Sequence, residues 1–405
     1  MKTTRALYIT NLGLLDNLAR TQILPYLEGL AKNGLDIEIL SFEKKENLSD
    51  ASTLIQMAGR LKKAGIGWSY LRYHRRWGNI WDVVAGAAKC FRIIRKKKIS
   101  VLHARASIPI IIAWPLAKLL GLKVIYDRRG TMVGDFVDDV NIKNIFSLNS
   151  FARVLDAFDH FIIRHSDATV VLSEKALELL KNDPRLSRKK AVIESIPCCV
   201  DPSRFPGVKN THADVLGLDS RFTICYLGSL GTCYLLKEMA VFFKTLKEKR
   251  ADALFLVISH TDKGYISGVL DKEGLRAVAD YIVIGVKPDE VGQYLSRTKF
   301  GIMFIKPVEC KIGSSPTKFA ESLASGIPVI INKGIGDTED IIRDRKIGVL
   351  VEGLDVSAYK KAVRAMFDLM ETEGLKARCV ETARRYFSLD LGVERYVNVY
   401  KKIMG

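Results

Sequence analysis

Residues 312–329 read Ile-Gly-Ser-Ser-Pro-Thr-Lys-Phe-Ala-Glu-Ser-Leu-Ala-Ser-Gly-Ile-Pro-Val, a stretch dense in groups able to hold an anion. Ser315 followed by Pro316 reads as a helix start, with serine as the N-cap and proline preset for the first helical position. Gly326 and Pro328 end that helix. Phe319, Ala320, Leu323 and Ala324 form its buried stripe, which leaves Lys318 and Glu321 together on another face. The free N–H groups at the helix start, with the positive end of its dipole, make an anion site suited to a diphosphate. Lys318 adds a full charge there. Glu321, leaning back toward the N-terminus, can accept two hydrogen bonds from ribose hydroxyls. The plainer alternative is a solvated Lys–Glu pair on a surface helix. The preceding loop of Gly313, Ser314 and Ser315, and the position after a buried strand, favour the site.

In open α/β sheets ligands bind beyond the carboxyl ends of strands, which selects the loops 11–16, 103–105, 127–130, 228–231, 285–287 and 307–318. His103, Arg105, Asp127 and Arg129 fall at or just beyond two strand ends, aimed at a cleft. Arg129 suits an anionic group or a departing phosphate, and Asp127 suits the orientation of a hydroxyl; an Asp–Arg pair that only orders a loop is the alternative. The loop after the first strand reads Asn11-Leu-Gly13-Leu-Leu-Asp16 and lacks the G-x-G-x-x-G of a dinucleotide site, which weighs against a nicotinamide-dependent oxidoreductase. No cluster of His, Cys and acidic residues has metal-ligand spacing, so no metal is expected.

These residues need a scaffold. A single core stops growing beyond about 250 to 300 residues, so a chain of 405 residues is expected to form two domains. Short β-rich runs alternate with helical patterns throughout, the mark of βαβ units and parallel sheets. The first series predicts strands over 6–11, 36–42, 101–104, 123–126 and 168–172, with helices over 17–33, 108–120 and 152–165. A proline-bearing connection over 197–219 precedes a second series, with strands over 222–227, 253–259, 281–284, 300–305, 327–331 and 348–351. The predicted division is 1–200, 201–387 and a final helical segment 388–405.

The net charge of +18 points to an anionic partner. Much of it lies in 60–98, where cations interleave with Trp68, Tyr70, Tyr73, Trp77 and Trp81 and Asp82 is the only acid. Cations beside exposed aromatics suit an anionic membrane surface; a packed core with a solvated face is the alternative. No nucleic-acid motif accompanies the segment, so no nucleic acid is expected. Seven cysteines without a C-x-x-C pair imply a reduced compartment, and the N-terminus shows no secretory pattern, so the expected location is cytoplasmic.

The form Ser-x-Pro-x-Lys-x-x-Glu-x-Leu-Ala-x-Gly-x-Pro-Val, ending at Val329, resembles the donor motif of glycosyltransferase family 4 of the GT-B fold. Residues 196–201, the run from Tyr226 through Gly228, Ser229 and Gly231, and the terminal helix add to the resemblance. It implies two Rossmann-like domains facing across a cleft, the last helix crossing back to the first domain. The second domain would hold a nucleotide sugar, with Glu321 on the ribose, Lys318 on the phosphates, and Gly285, Val286 and Lys287 at the base, UDP favoured over GDP. The first would hold the acceptor, with Asn11 and Gly13 near the sugar and Asp127-Arg-Arg-Gly130 like the family's Asp-x-Arg-Gly segment. Two departures stand out: Gly313 occupies the place of a second glutamate, and Ser229 lies where many members carry a cation, leaving Lys237 further on. The implied reaction is transfer of a hexosyl unit to a hydroxyl of a sugar or lipid-linked acceptor, retaining and without metal or cofactor. The basic segment 60–98 adds the expectation of surface-polysaccharide or lipid-linked glycan assembly at the inner face of a membrane. A non-catalytic scaffold with the same fold is the remaining alternative.

Overall fold

A computed structural model describes residues 4–74, 78–134, 145–187, 192–205, 216–231, 233–288 and 290–405. The chain divides into two compact units, one made of Met1–Pro197 with Leu389–Gly405, the other of Cys198–Ser388.

The first unit is built on seven strands: β1 Arg5–Thr10, β2 Asp36–Glu43, β3 Gly67–Arg72, β4 Val101–Arg105, β5 Lys123–Asp127, β6 Ala168–Val171 and β7 Val192–Ser195. They pair in parallel in the order β3-β2-β1-β4-β5-β6-β7. β1, β4 and β5 are almost wholly buried, as expected of parallel strands covered by helices on both faces. The terminal helix Leu389–Met404 belongs to this unit and packs on the helix Leu24–Lys32. Gly29 permits the approach, since a Cβ there would lie 2.5 Å from a methyl of Val393.

The second unit has β8 Phe222–Leu227, β9 Ala253–Ile258, β10 Tyr281–Ile284, β11 Phe300–Met303, β12 Val329–Asn332 and β13 Gly348–Val351, all parallel, in the order β10-β9-β8-β11-β12-β13. Strand order reverses between β1 and β4 in one sheet and between β8 and β11 in the other. Such switch points are where doubly wound sheets open a crevice.

Several expectations are corrected. The helix predicted over 17–33 is two, Asn17–Gln22 and Leu24–Lys32, broken at Ile23 because Pro25 supplies no backbone N–H to the preceding turn. β2, β4 and β5 each run one residue further than predicted, so Arg105 and Asp127 stand paired within the ladder. The basic segment that lacked a clear pattern forms the helix Ala51–Lys63, the edge strand β3 and the helix Gly78–Lys97. β3 escaped notice because none of its side chains is fully buried, which erases the alternation that marks a half-buried strand. No helix of the described residues is long and apolar enough to cross a membrane.

Candidate functional site

The loop after β8 and the helix Thr317–Ala324 that follows β11 lie at the switch point of the second sheet. Phe319 and Leu323 are fully buried, and Phe319 packs edge-on against Phe387 at 5.7 Å between ring centres. Burial of such side chains contributes about 1.5–3 kcal/mol each and fixes the rotation of this short helix. Ser315 is not the N-cap. Pro316 holds that position in an extended conformation, and no side chain caps the helix. Ser315 Oγ instead accepts from the Cys198 amide at 3.1 Å. The first-turn amides therefore keep their anion-binding capacity.

The loop before the helix is held by a glycine absent from the sequence reading. Gly336, at φ +46°, presses on it so closely that a Cβ would lie 1.8 Å from the Ser314 carbonyl oxygen. The amides of Gly336 and Ser314 both donate to Lys311 O at 3.1 Å.

Lys318 reaches back to the end of β8. Its ammonium donates to Tyr226 Oη at 3.1 Å and lies 3.4 Å from the ring centre of Tyr234 and 4.7 Å from that of Tyr226. Gly228, at φ +104°, lies directly beneath: a Cβ there would be 3.0 Å from Lys318 Cε. Burial of the ammonium pushes its pKa down to about 7, against the charges of Cys233 and Glu321. Glu321, half-buried on the same helix, is pushed up to about 7 by burial, against the charges of Arg204 and Lys318. No ion pair joins Lys318 to Glu321 among the described residues, so each can serve a ligand separately.

The remaining second-unit candidates divide. Ser229 and Gly231 are exposed, and the Ser229 carbonyl accepts from Tyr226 Oη at 2.9 Å. Gly285 and Lys287 are exposed and Val286 is buried; His260 contacts the Val286 carbonyl at 3.0 Å through Nε2. His260 follows β9 and could have been found by extending the strand-end rule to that loop. Arg204, also unforeseen, donates to Pro288 O at 2.9 Å and faces Glu321. Lys237 is 68% exposed and lies 3.9 Å from Glu273.

In the first unit the polar strand-end residues point inward. Asp127 is wholly buried, and its Oδ2 accepts from Arg129 at 2.9 Å and Tyr396 at 3.1 Å, with Arg105 at 3.4 Å and His103 at 3.5 Å. Burial alone would raise its pKa, but Arg129, His103 and Arg105 hold it well below the ordinary carboxylate range. Burial lowers the pKa of His103, whose Nδ1 lies 2.8 Å from Tyr400 Oη. Tyr8, Gln22, Tyr26, His103, Arg105 and Arg129 help line a cavity of about 10 Å³, room for about one water molecule. The expectation that these side chains stand at open strand ends is therefore corrected: β4 and β5 extend one residue further, and the terminal helix contributes the two tyrosines that bond them. The four-residue spacing of Tyr396 and Tyr400, which places them on one helical face, was the available signal.

Gly13 lies in the loop after β1, beside half-buried Asn11. A Cβ at Gly13 would fall 2.4 Å from Glu43 Oε2. The buried Glu43 carboxylate accepts from the amides of Leu14 at 2.7 Å and Leu15 at 3.2 Å and from Ser41 Oγ at 2.6 Å. The place where a dinucleotide domain would hold its pyrophosphate is filled by the chain's own carboxylate.

In the basic segment, Trp68 donates to Ser41 Oγ at 2.9 Å, Asp82 is buried against His74, and Lys97 pairs with Glu38 at 2.6 Å. Trp81 is 73% exposed. Arg75, Arg76 and Trp77 lie outside the described residues.

Solved structures share this fold over the whole chain. The sucrose-phosphate synthase of Thermosynechococcus elongatus matches with a TM-score of 0.75 at 13% identity, covering 99% of both chains. A glycosyltransferase from Rickettsia africae matches at 0.68 and 15%, covering 100% of this chain and 99% of that one. Anabaena HepE in complex with UDP and glucose matches at 0.69 and 11%, covering 98% and 99%. At these identities the likeness is one of fold, the paired Rossmann-like domains of GT-B glycosyltransferases. Two family models then divide the sequence, Glycosyltransferase Family 4 over residues 20–204 and Glycosyl transferases group 1 over residues 208–386. The chain belongs to glycosyltransferase family 4. No curated protein matches its sequence.

Proposed function

We propose that the protein transfers a hexosyl unit from a nucleoside diphosphate sugar, UDP-linked in preference to GDP-linked, to a hydroxyl of a sugar or lipid-linked acceptor. The observation that carries this reading is the Lys318 side-chain nitrogen held over Gly228, beside the first turn of a helix that no side chain caps. Anabaena HepE, of the same fold, binds UDP and glucose. The main demand of the reaction is stabilisation of the departing diphosphate. Oriented amides and a preplaced cation in a partly desolvated site answer it without reorganisation. Glu321 accepts the ribose hydroxyls, and the loop of Gly285, Val286 and Lys287 borders the base. Retention at the anomeric carbon is part of the proposal, as is metal-independent departure of the leaving group. UDP and GDP titrations test the donor assignment: UDP should bind more tightly than GDP, and Glu321→Ala should weaken it about tenfold or more, in line with loss of a charge-assisted hydrogen bond of about 1.5–3 kcal/mol. Transfer should survive EDTA. Equal UDP affinity in the variant, or activity lost to EDTA and restored by Mg²⁺, would overturn these assignments.

We propose further that the first unit docks on an anionic membrane, in glycan assembly at its inner face. The helix Gly78–Lys97 exposes Ile80, Trp81 and Val84 and, toward its end, Arg92, Arg95 and Lys96; the helix Ile145–His165 exposes Phe151, Val154, Phe158 and Phe161 alongside Arg153 and Arg164. Inserted aromatics with cations near lipid phosphate, each worth about 1 kcal/mol, support reversible attachment. Sedimentation with anionic liposomes should fall on raising salt and in a Trp81→Ser, Phe158→Ser variant. A wild-type protein that ignores anionic liposomes at low salt removes the idea.

A further inference from the structure

We propose that Tyr226 and Tyr234 are positioning residues, forming an aromatic socket that holds the Lys318 amine over Gly228 while the donor site is empty, and that arrival of a diphosphate makes this amine take up a proton from solvent. The inference rests on the donor reading above and adds two residues and a proton to it.

The socket has three walls. Tyr234 presents its ring face 3.4 Å from Lys318 Nζ, Tyr226 lies at 4.7 Å, and the two rings meet edge to face at 5.7 Å and 71°. Gly228, at φ +104°, closes the third side, where a Cβ would lie 3.0 Å from Lys318 Cε and 3.1 Å from Nζ. Tyr226 Oη donates its hydrogen to the Ser229 carbonyl at 2.9 Å, so it presents a lone pair to the lysine at 3.1 Å. Burial keeps both phenols protonated, with pKa values well above their ordinary value. The socket therefore offers the amine one hydrogen-bond acceptor and two ring faces.

An ammonium has three donors, and a buried ammonium with one acceptor is poorly compensated for the water it has lost. The ring faces favour the charged form, while desolvation opposes it. The titratable groups near the amine are Tyr226 from β8, Cys233 and Tyr234 from the loop after it, and Glu321 from its own helix. Arg204 faces Glu321. Desolvation is the largest of these influences, and it places the proton affinity of the amine at about pH 7. Diphosphate oxygens would supply the missing acceptors and a strong negative potential, and both favour the ammonium. The balance is simple: an amine and one solvent proton become an ammonium paired with phosphate.

The test is calorimetric titration of the full chain with UDP at pH 8, in two buffers of different ionisation enthalpy, where UDP is already ionised. Wild-type protein should take up close to one proton per UDP, and its affinity should fall nearly tenfold per pH unit between pH 8 and 9. Lys318→Arg, which stays charged at these pH values, should still bind UDP but exchange almost no protons. Tyr234→Ala, which opens the socket to water, should lower the uptake, and Tyr234→Phe, which keeps the ring, should retain it. Should Tyr234→Ala fail to fold, the Lys318→Arg comparison decides alone. UDP binding by the wild type without proton uptake, or uptake that persists in Lys318→Arg, overturns the socket and leaves the donor site standing. Failure of UDP to bind the wild type overturns both.

Discussion

The two units carry the same local device and use it with opposite charge. In each, the first strand ends in a loop whose glycine lies where the strand order reverses. At Gly13 the missing side chain makes room for the Glu43 carboxylate, which saturates the amides of Leu14 and Leu15. At Gly228 it makes room for the Lys318 amine. The first loop has its anion built in and is closed to a phosphate. The second holds an amine with unfilled donors; the diphosphate of the proposed donor would favour its protonation and fill them. A glycine after the first strand of a Rossmann-like sheet thus states only that something approaches the backbone. The sign of what approaches decides whether the loop is structural or binds a ligand.

Lys318→Ala is the sharpest probe of this contrast and carries the largest expected effect. Removing a preorganised cation from the leaving group costs about 3 kcal/mol, roughly a hundredfold in turnover. Thermal stability should change little, since the desolvated amine is poorly compensated where it lies. Steady-state rates and a melting curve check both halves, and a rate within a few-fold of wild type would break the contrast. Glu43→Ala should show the reverse. It leaves two amides and a hydroxyl without their acceptor inside the first unit, at about 1–3 kcal/mol for each group left buried and unpaired, so stability should drop by about 3 kcal/mol or more. Chemical denaturation measures that loss. UDP affinity of the folded fraction should remain near wild type, because the proposed donor site lies in the other unit; a large loss of UDP affinity at intact stability would assign Glu43's loop to the donor instead.

The helix Thr317–Ala324 was legible because its information is local. A helix start, a buried stripe, and a Lys–Glu pair three residues apart all lie within residues 312–329. Periodicity alone places Lys318 and Glu321 on one face. The cap was misread for a reason no local rule contains: Ser315 is drawn off by the Cys198 amide, 117 residues away in the chain. Tyr234, His260 and Arg204 were missed because each acts through a partner on another strand loop. The strand ends of the first unit show the same limit more strongly. His103 and Asp127 look like open catalytic positions until Tyr400 and Tyr396, 297 and 269 residues away, bond to them.

Sequence by itself determined the alternation of strands and helices, the two parallel sheets, and the side chains that share the face of the donor helix. Those properties follow from periodicities of two and 3.6 residues and from turn chemistry, all readable within a short window. Tertiary structure alone decided which glycine receives a carboxylate and which a lysine, and which strand-end charges are buried by the returning helix. It also decided that burial brings Lys318 and Glu321 each to a proton affinity near pH 7. The physical reason is that desolvation and hydrogen-bond completion depend on every atom within a few ångströms, and in a doubly wound sheet most of those atoms come from distant parts of the chain.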